Sequence, residues 1–483
     1  MTVKTYHKQY EDHRAKWKRC RDVIEGRDAI VANGRVRQRF VGSLFNPIGT
    51  ADVYLPRLSG QTEAEYQAYA ERAGFFNATG RTIDAMTGMI FAKDPQWTLP
   101  PAIEPYTNDI TLTAINLREF SEQVVEQQMA VGRVGIMVDY PETPVGGMSL
   151  ADAERNNIRP FMRLYKAESI INWRSKTVNG AVGLTLVVLQ ETVEVRKSEF
   201  EFEDVIRYRV LDLTPDGYRV RVMDEDNVVL SEVYPKVSGK PMMFIPFLIL
   251  GSNSCDPAVQ KPPMIDLVDT NLAHYRNSAD YEHGLHFTGL PTPYVAGVQL
   301  EAGESLSIGS NAAWVFPDPQ ASAAYLEFKG EGLKTLADAI MAKEQRMAVL
   351  GARMLVEERK SAESFRTVEM RSSGERSVLS SISRSASDAM VRALNWMAEW
   401  AGAPPDCEFA LNTDFSTNKM DPNMLTALVS AYQTGVMPLR VLFDNFKRGD
   451  LVSQGTDYET FEAQLADSGP TLLAPAQNQV ATT

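Results

Sequence analysis

Thr62 and Glu65 stand three apart ahead of Tyr66, Tyr69, Ala70, Ala73 and Phe76, apolar positions that recur at helical period. This pattern predicts a helix opened by a capping box and running on to Pro95. Leu117, Phe120 and Val124 predict a further helix that leads directly into 132–141, an apolar run bounded by Gly132 and Pro141 and expected to be a buried strand. Between Arg159 and Leu250 the texture becomes β. Short alternating or apolar segments at 182–195, 205–213, 218–224 and 228–235, joined by turn sequences such as 214–217 and 224–227, predict a compact β subdomain. The apolar run 242–250 is too short for a bilayer span and holds Pro246, so it reads as a buried strand.

Helix returns at Pro262 and Pro263, residues suited to a first turn, and continues through Ile265, Val268, Leu272, Tyr275 and Ala279 to about Phe287. Residues 289–330, rich in Gly, Pro and Ser with short apolar runs, predict a small β insertion. The next helix, 331–355, carries Leu333, Leu336, Ala337, Ile340, Met341, Met347, Ala348 and Met354 on one stripe. After a charged clump, Ser361 is a plausible N-cap for a helix over 362–402 with no proline before Pro404. About forty residues make a rod of roughly 60 Å, which needs a long partner. Trp396 and Trp400 in this rod read as core filling. Asp421 and Pro422 open a short helix ending at Gly435, 438–449 makes another, and the tail 467–483 reads as loosely ordered.

With 483 residues, 44% hydrophobic and 23% charged, and a mean hydropathy of −0.23, the chain has the composition of a soluble globular protein with several packed regions. The net charge of −13 argues against a tight grip on nucleic acid, which comes from cations neutralising phosphates. The charge is uneven: residues 1–40 hold eleven Lys and Arg against five Asp and Glu, a segment read as a solvated helix face rather than a binding arm. The N-terminus is charged where a signal peptide needs an apolar stretch, so export by that route is not expected. Cys20, Cys255 and Cys407 lie far apart without a CxxC pair, which argues against a disulfide framework or zinc site and for a reducing compartment.

The chain has no P-loop, HExxH or GxSxG sequence, and no GxGxxG after a strand, so no cofactor is expected. Asp280, His283 and His286, with Glu282 nearby, share roughly one helix face and form the best candidate for metal binding or acid/base chemistry. With five histidines in all, surface or subunit-contact roles are the expectation. The acceptor-like triplet Asn77, Ala78, Thr79 reads as a chance match to a glycosylation site.

Taken alone, the clump Glu357, Glu358, Arg359 and Lys360 is a polar turn between two helices that meets only water. Its surroundings argue otherwise: helix, β insertion, helix, charged tip and rod in succession suggest a radially extended subunit. This order, with the stretches 54–95, 132–141, 363–402 and 411–416, resembles the portal proteins of tailed bacteriophages, in particular a branch known mainly as uncharacterised phage proteins. The similarity extends from about residue 5 to 465.

The resemblance implies an α+β portal fold. In it, 1–261 forms the wing (its β-rich part about 159–250), 262–288 a stem helix, 289–330 the clip, 331–355 the second stem helix and 356–361 the tunnel loop. Residues 362–402 would be the long wing helix, and 403–483 would complete the wing with a small crown. It also implies a closed homo-oligomeric ring of about twelve subunits at the capsid vertex, assembled in the bacterial host cytoplasm, through which double-stranded DNA is packaged and ejected. The expected partners are further copies of the chain, the terminase large subunit, a head-tail adaptor, and capsid and scaffolding proteins, with no membrane. Channel candidates are Glu357, Glu358, Arg359 and Lys360 with Arg353, Arg346 and Lys343 of the second stem helix; mixed charge there keeps phosphate wells shallow. Clip candidates for partner binding are Pro291, Pro293, Tyr294, Glu301, Glu304, Trp314 and Phe316. Two other classes remain open: another virion connector or adaptor ring protein, and a metal-dependent enzyme using Asp280, His283 and His286.

Overall fold

The computed structural model describes residues 2–34, 54–57, 60–141, 152, 155–178, 181–289, 292–297, 319–326, 331–353, 378–413, 415, 422–448, 451–452 and 456–467. In chain order the elements are α1 (Lys8–Glu25), α2 (Arg27–Gly34), α3 (Glu63–Arg72), α4 (Ala78–Ile90), β1 (Gln96–Thr98), α5 (Leu117–Val131), β2 (Arg133–Asp139), β3 (Phe161–Lys166), β4 (Ile170–Val178), β5 (Ala181–Arg196), β6 (Phe202–Thr214), β7 (Gly217–Met223), β8 (Val229–Val233), β9 (Lys236–Val237), β10 (Lys240–Pro241) and β11 (Phe247–Gly251). Then follow α6 (Ile265–Gly289), β12 (Thr292–Ala296), β13 (Ser322–Leu326), α7 (Glu331–Arg353), α8 (Val378–Trp400), β14 (Glu408–Ala410), α9 (Pro422–Gln433), α10 (Leu439–Arg448) and α11 (Tyr458–Asp467). The mixture of helices and antiparallel sheets is α+β, as expected. The chain divides into two units, residues 1–413 and 414–483.

The core of the first unit lies between helices α5 and α8 and a three-stranded sheet of order β11-β2-β3. Gly132 caps α5 in the left-handed region (φ 68°), its N–H returning to Gln128 O at 2.8 Å, so the chain reverses directly into β2. Strands β2 and β11 are buried on both faces, which is why 132–141 and 242–250 read as continuous apolar runs. Helix α8 buries Leu379, Ile382, Met390, Leu394 and Met397 with Ala386, Ala389 and Ala393 between them, and these small residues let it lie close on the sheet. Trp396 and Trp400 are half-buried beside Phe244 and Tyr140, at ring distances of 5.6 and 6.2 Å. Arg133 opens β2 almost fully buried, stacked over the Trp173 ring at 4.0 Å and donating to Pro257 O at 2.9 Å; burial lowers its pKa to about 9.

Three expectations change. The helix predicted from Thr62 to Pro95 is two helices. The capping box at Thr62 and Glu65 is present, but the chain leaves the helix at Ala73 and re-enters at Asn77, whose side chain caps α4 through Gly80 N (2.9 Å) and donates to Ile24 O (2.8 Å). The triplet that matched a glycosylation acceptor is thus a helix start. The single β subdomain is three sheets: β3 and β11 pair with β2, β4 to β8 form a separate antiparallel sheet of order β4-β5-β6-β7-β8, and β9 and β10 pair only with each other. The basic N-terminal segment is more than a solvated face: α1 buries Tyr10, Trp17, Cys20 and Val23 and packs on α4, α5 and α6, with Lys8, Arg14, Lys16 and Lys18 exposed while the half-buried Arg19 and Arg21 pair with Asp269 and Glu168. Of the predicted rod, Val378–Trp400 is described as helix, about 34 Å long; 362–377 lie outside the described residues.

In the second unit α10 buries Leu442 and Phe443, with Tyr458 and Phe461 of α11 against Phe443 at 5.7 and 5.0 Å. Helix α11 was not anticipated. Its signal was Asp457, whose carboxylate caps Thr460 N at 2.6 Å, followed by Phe461 and Leu465 one turn apart. Among the described residues no helix is long and apolar enough to cross a membrane.

Candidate functional site

Helices α6 and α7 pack side by side, and the described ends of the insertion between them pair as the antiparallel strands β12 and β13, Tyr294 opposite Ala324. Helix α6 is anchored at its base. Asn271, fully buried, accepts from Thr79 N (3.2 Å) and Thr79 Oγ1 (3.0 Å) and donates to Phe76 O (2.8 Å), fastening the first turn of α4. Tyr275 meets Phe75 edge-on at 5.7 Å. His274, also buried, holds its Nε2 3.2 Å from Glu344 Oε1 of α7. Nearer the strand pair, a Cβ at Gly284 would come within 2.5 Å of Leu333 Cδ2, so glycine sets how closely the two helices approach.

Helix α7 departs from its predicted stripe. Met347 is buried and Leu333, Leu336, Ala337 and Ile340 are half-buried, but Met341 is 53% exposed and Ala348 is exposed with it. Val349, 51% exposed, joins them, so α7 carries apolar groups on a second, outward side. The reason is composition. Apolar residues occur on two faces of this helix, and only the face meeting α6 is covered. Lys343 is half-buried and Arg346 exposed; neither these nor Lys334 pairs with a carboxylate among the described residues, while Glu344 is held by His274. Arg353 ends α7. Pro293 and Tyr294 lie on β12, Tyr294 exposed, with Tyr325 also exposed on β13. Pro291, Glu301, Glu304, Trp314, Phe316, Glu357, Glu358, Arg359 and Lys360 lie outside the described residues.

The three residues considered for metal or acid/base chemistry are engaged separately. Tyr69 Oη donates to Asp280 Oδ1 at 2.6 Å, and burial followed by this bond pushes the tyrosine hydroxyl far up. Arg72 Nη2 lies 3.3 Å from His286 Nε2. His283 sits between the rings of Tyr69 and Phe287, at 5.2 and 4.7 Å, and burial, then the charges of Arg72 and His286, hold its pKa below the usual imidazole range. Among the described residues no three His, Cys, Asp or Glu side chains gather as metal ligands. What the arrangement offers is mechanical: a braced helical pair ending in a strand pair with two outward tyrosines.

A family model described as a domain of unknown function (DUF4055) matches residues 263–401, the span from α6 through α8. No curated protein matches the chain. Among solved structures, a chain of the virion of a native gene transfer agent particle is 12% identical with a TM-score of 0.37, covering 86% of this chain and 97% of that one. The neck of the empty particle computed with C6 symmetry gives 13% and 0.39 over 86% and 96%, and the neck of the native particle computed with C12 symmetry 12% and 0.35 over 83% and 92%. At TM-scores this low the likeness assigns no function.

Proposed function

We propose that the chain is the ring subunit of a phage-type portal, a passive conduit for double-stranded DNA at the capsid vertex. The observation that carries this reading is the braced pair α6 and α7 with strands β12 and β13 at its end, in the order that the sequence resemblance implies for stem, clip and stem. Residues 262–288 and 331–355 are the stem, 289–330 the clip that docks a terminase and later an adaptor, and 356–361 the tip nearest DNA. Lys334, Lys343 and Arg346, without carboxylate partners among the described residues, sit on the helix that leads to that tip. Such cations are few, and Glu331, Asp338 and Glu344 share their helix, which suits a surface along which a polyanion slides because each uncompensated phosphate contact deepens a well it must leave. The ring is built from heterologous contacts that close. ATP hydrolysis belongs to a separate terminase, in keeping with a sequence that holds no P-loop.

Particles made by the encoding phage without a functional copy of this chain decide between this reading and another connector ring. Empty heads lacking DNA are expected. DNA-filled heads that lack only tails would overturn the portal role and place the chain among connectors that act after packaging.

A further inference from the structure

Strands β5 and β6 outrun the sheet that they belong to. Strand β4 pairs with β5 as far as Leu189, and β7 pairs with β6 from Tyr208, so beyond these points the two form a lone hairpin arm turning at residues 197–201. A lone two-stranded hairpin is marginally stable in water. This one is nevertheless ordered at its tip: Lys197 N donates to Glu201 O at 2.9 Å, Arg196 Nε to Ser198 O at 2.9 Å, and Lys197 pairs with Glu203. The arm carries apolar groups with nothing over them: Phe200 is 88% exposed, Phe202 58%, Val193 42% and Val195 39%. Glu194 stands directly opposite Asp204, an unfavourable like-charge pair, and neither has a cation among the described residues.

The other end of the same sheet has the opposite sign. The N-terminal segment covers the start of the β4 edge, where His7 N donates to Ile171 O at 2.9 Å and Asn172 Nδ2 to Thr5 O at 2.9 Å. From Arg174 to Thr177 the edge is exposed, and Arg174 and Lys176 have no carboxylate partner among the described residues. Lys176 lies opposite Gly183, and Glu194 is about 36 Å further along that strand, so one copy cannot neutralise its own arm.

We propose that the β5–β6 arm of one copy seats against the Arg174–Thr177 edge of β4 on a second copy, Glu194 and Asp204 meeting Arg174 and Lys176 while Phe200 and Phe202 leave water. Donor and acceptor surfaces differ and face opposite ways along the sheet, so the contact is head-to-tail, the kind that propagates around a closed ring. It rests on the ring reading above and names the surface that joins neighbours.

Light scattering of the purified full chain across a concentration series tests it, with circular dichroism to confirm folding. Glu194→Lys with Asp204→Lys is expected to weaken self-association by about tenfold or more, as is Arg174→Glu with Lys176→Glu; the four changes together restore it. Wild-type assembly in both double variants would overturn the arm contact and leave the ring reading standing. Two assembly defects that the combination does not repair would overturn the pairing of these two surfaces. A wild-type chain that stays monomeric throughout would overturn both readings.

Discussion

Asn271→Leu is expected to destabilise the 1–413 unit by about 3 kcal/mol or more, since it leaves several buried groups without partners at once. Leucine keeps asparagine's branching at Cγ and its number of side-chain heavy atoms, so no cavity is opened and the lost hydrogen bonds dominate the cost. Thr79 N, Thr79 Oγ1 and Phe76 O lose their partner at a site that water does not reach. Thr79→Val removes one of these groups and keeps the rest of the latch, so it should cost about 1 kcal/mol. In the double variant the two costs should add to less than their sum, because both act on one network. Urea denaturation followed by tryptophan fluorescence measures all three. A cost for Asn271→Leu within about 0.5 kcal/mol of zero, the range of an ordinary surface change, would mean that α4 is not fastened to α6 in this way.

Trp17→Ala is expected to cost about 3–5 kcal/mol, the range for emptying a large aromatic site in a core. Trp17 is fully buried in α1, edge-on to Tyr10 at 5.6 Å, and its indole Nε1 has no hydrogen-bond partner among the described residues. Trp17→Phe keeps most of the volume and removes the indole N–H with part of the bicyclic ring, so a smaller loss of about 1 kcal/mol is expected. The contrast separates a packed helix from the solvated basic face that charge counting suggests: on a solvated face both substitutions would be nearly silent in a thermal melt.

What could be read from the sequence was mostly local. The capping box at Thr62, the passage from α5 through Gly132 into β2, and the helical stretches behind Pro262 and Glu331 depend on residues within a few positions of one another. The break at 73–77 does not: Asn271 holds Phe76 O from 195 positions away, and no periodicity reports that. The inward side of α1 was visible as Tyr10, Trp17 and Cys20 but was overshadowed by the cations between them. The outward placement of Met341 and Ala348 was not legible, because α7 has apolar residues on more than one face and its partner selects among them. The arm had a signal in the alternation of Phe200 and Phe202 with acids. Its isolation depends on where β4 and β7 stop, which only the pairing reveals. Of the candidate channel and clip residues, Lys343, Arg346, Pro293 and Tyr294 have described surroundings, and these place them on the helical pair and its strand tip.

Electron microscopy of the purified full chain in negative stain tests the ring most directly. The account predicts class averages of a closed ring with an open centre and about twelve-fold symmetry. Compact single particles without an opening, at every concentration and salt tried, would contradict it.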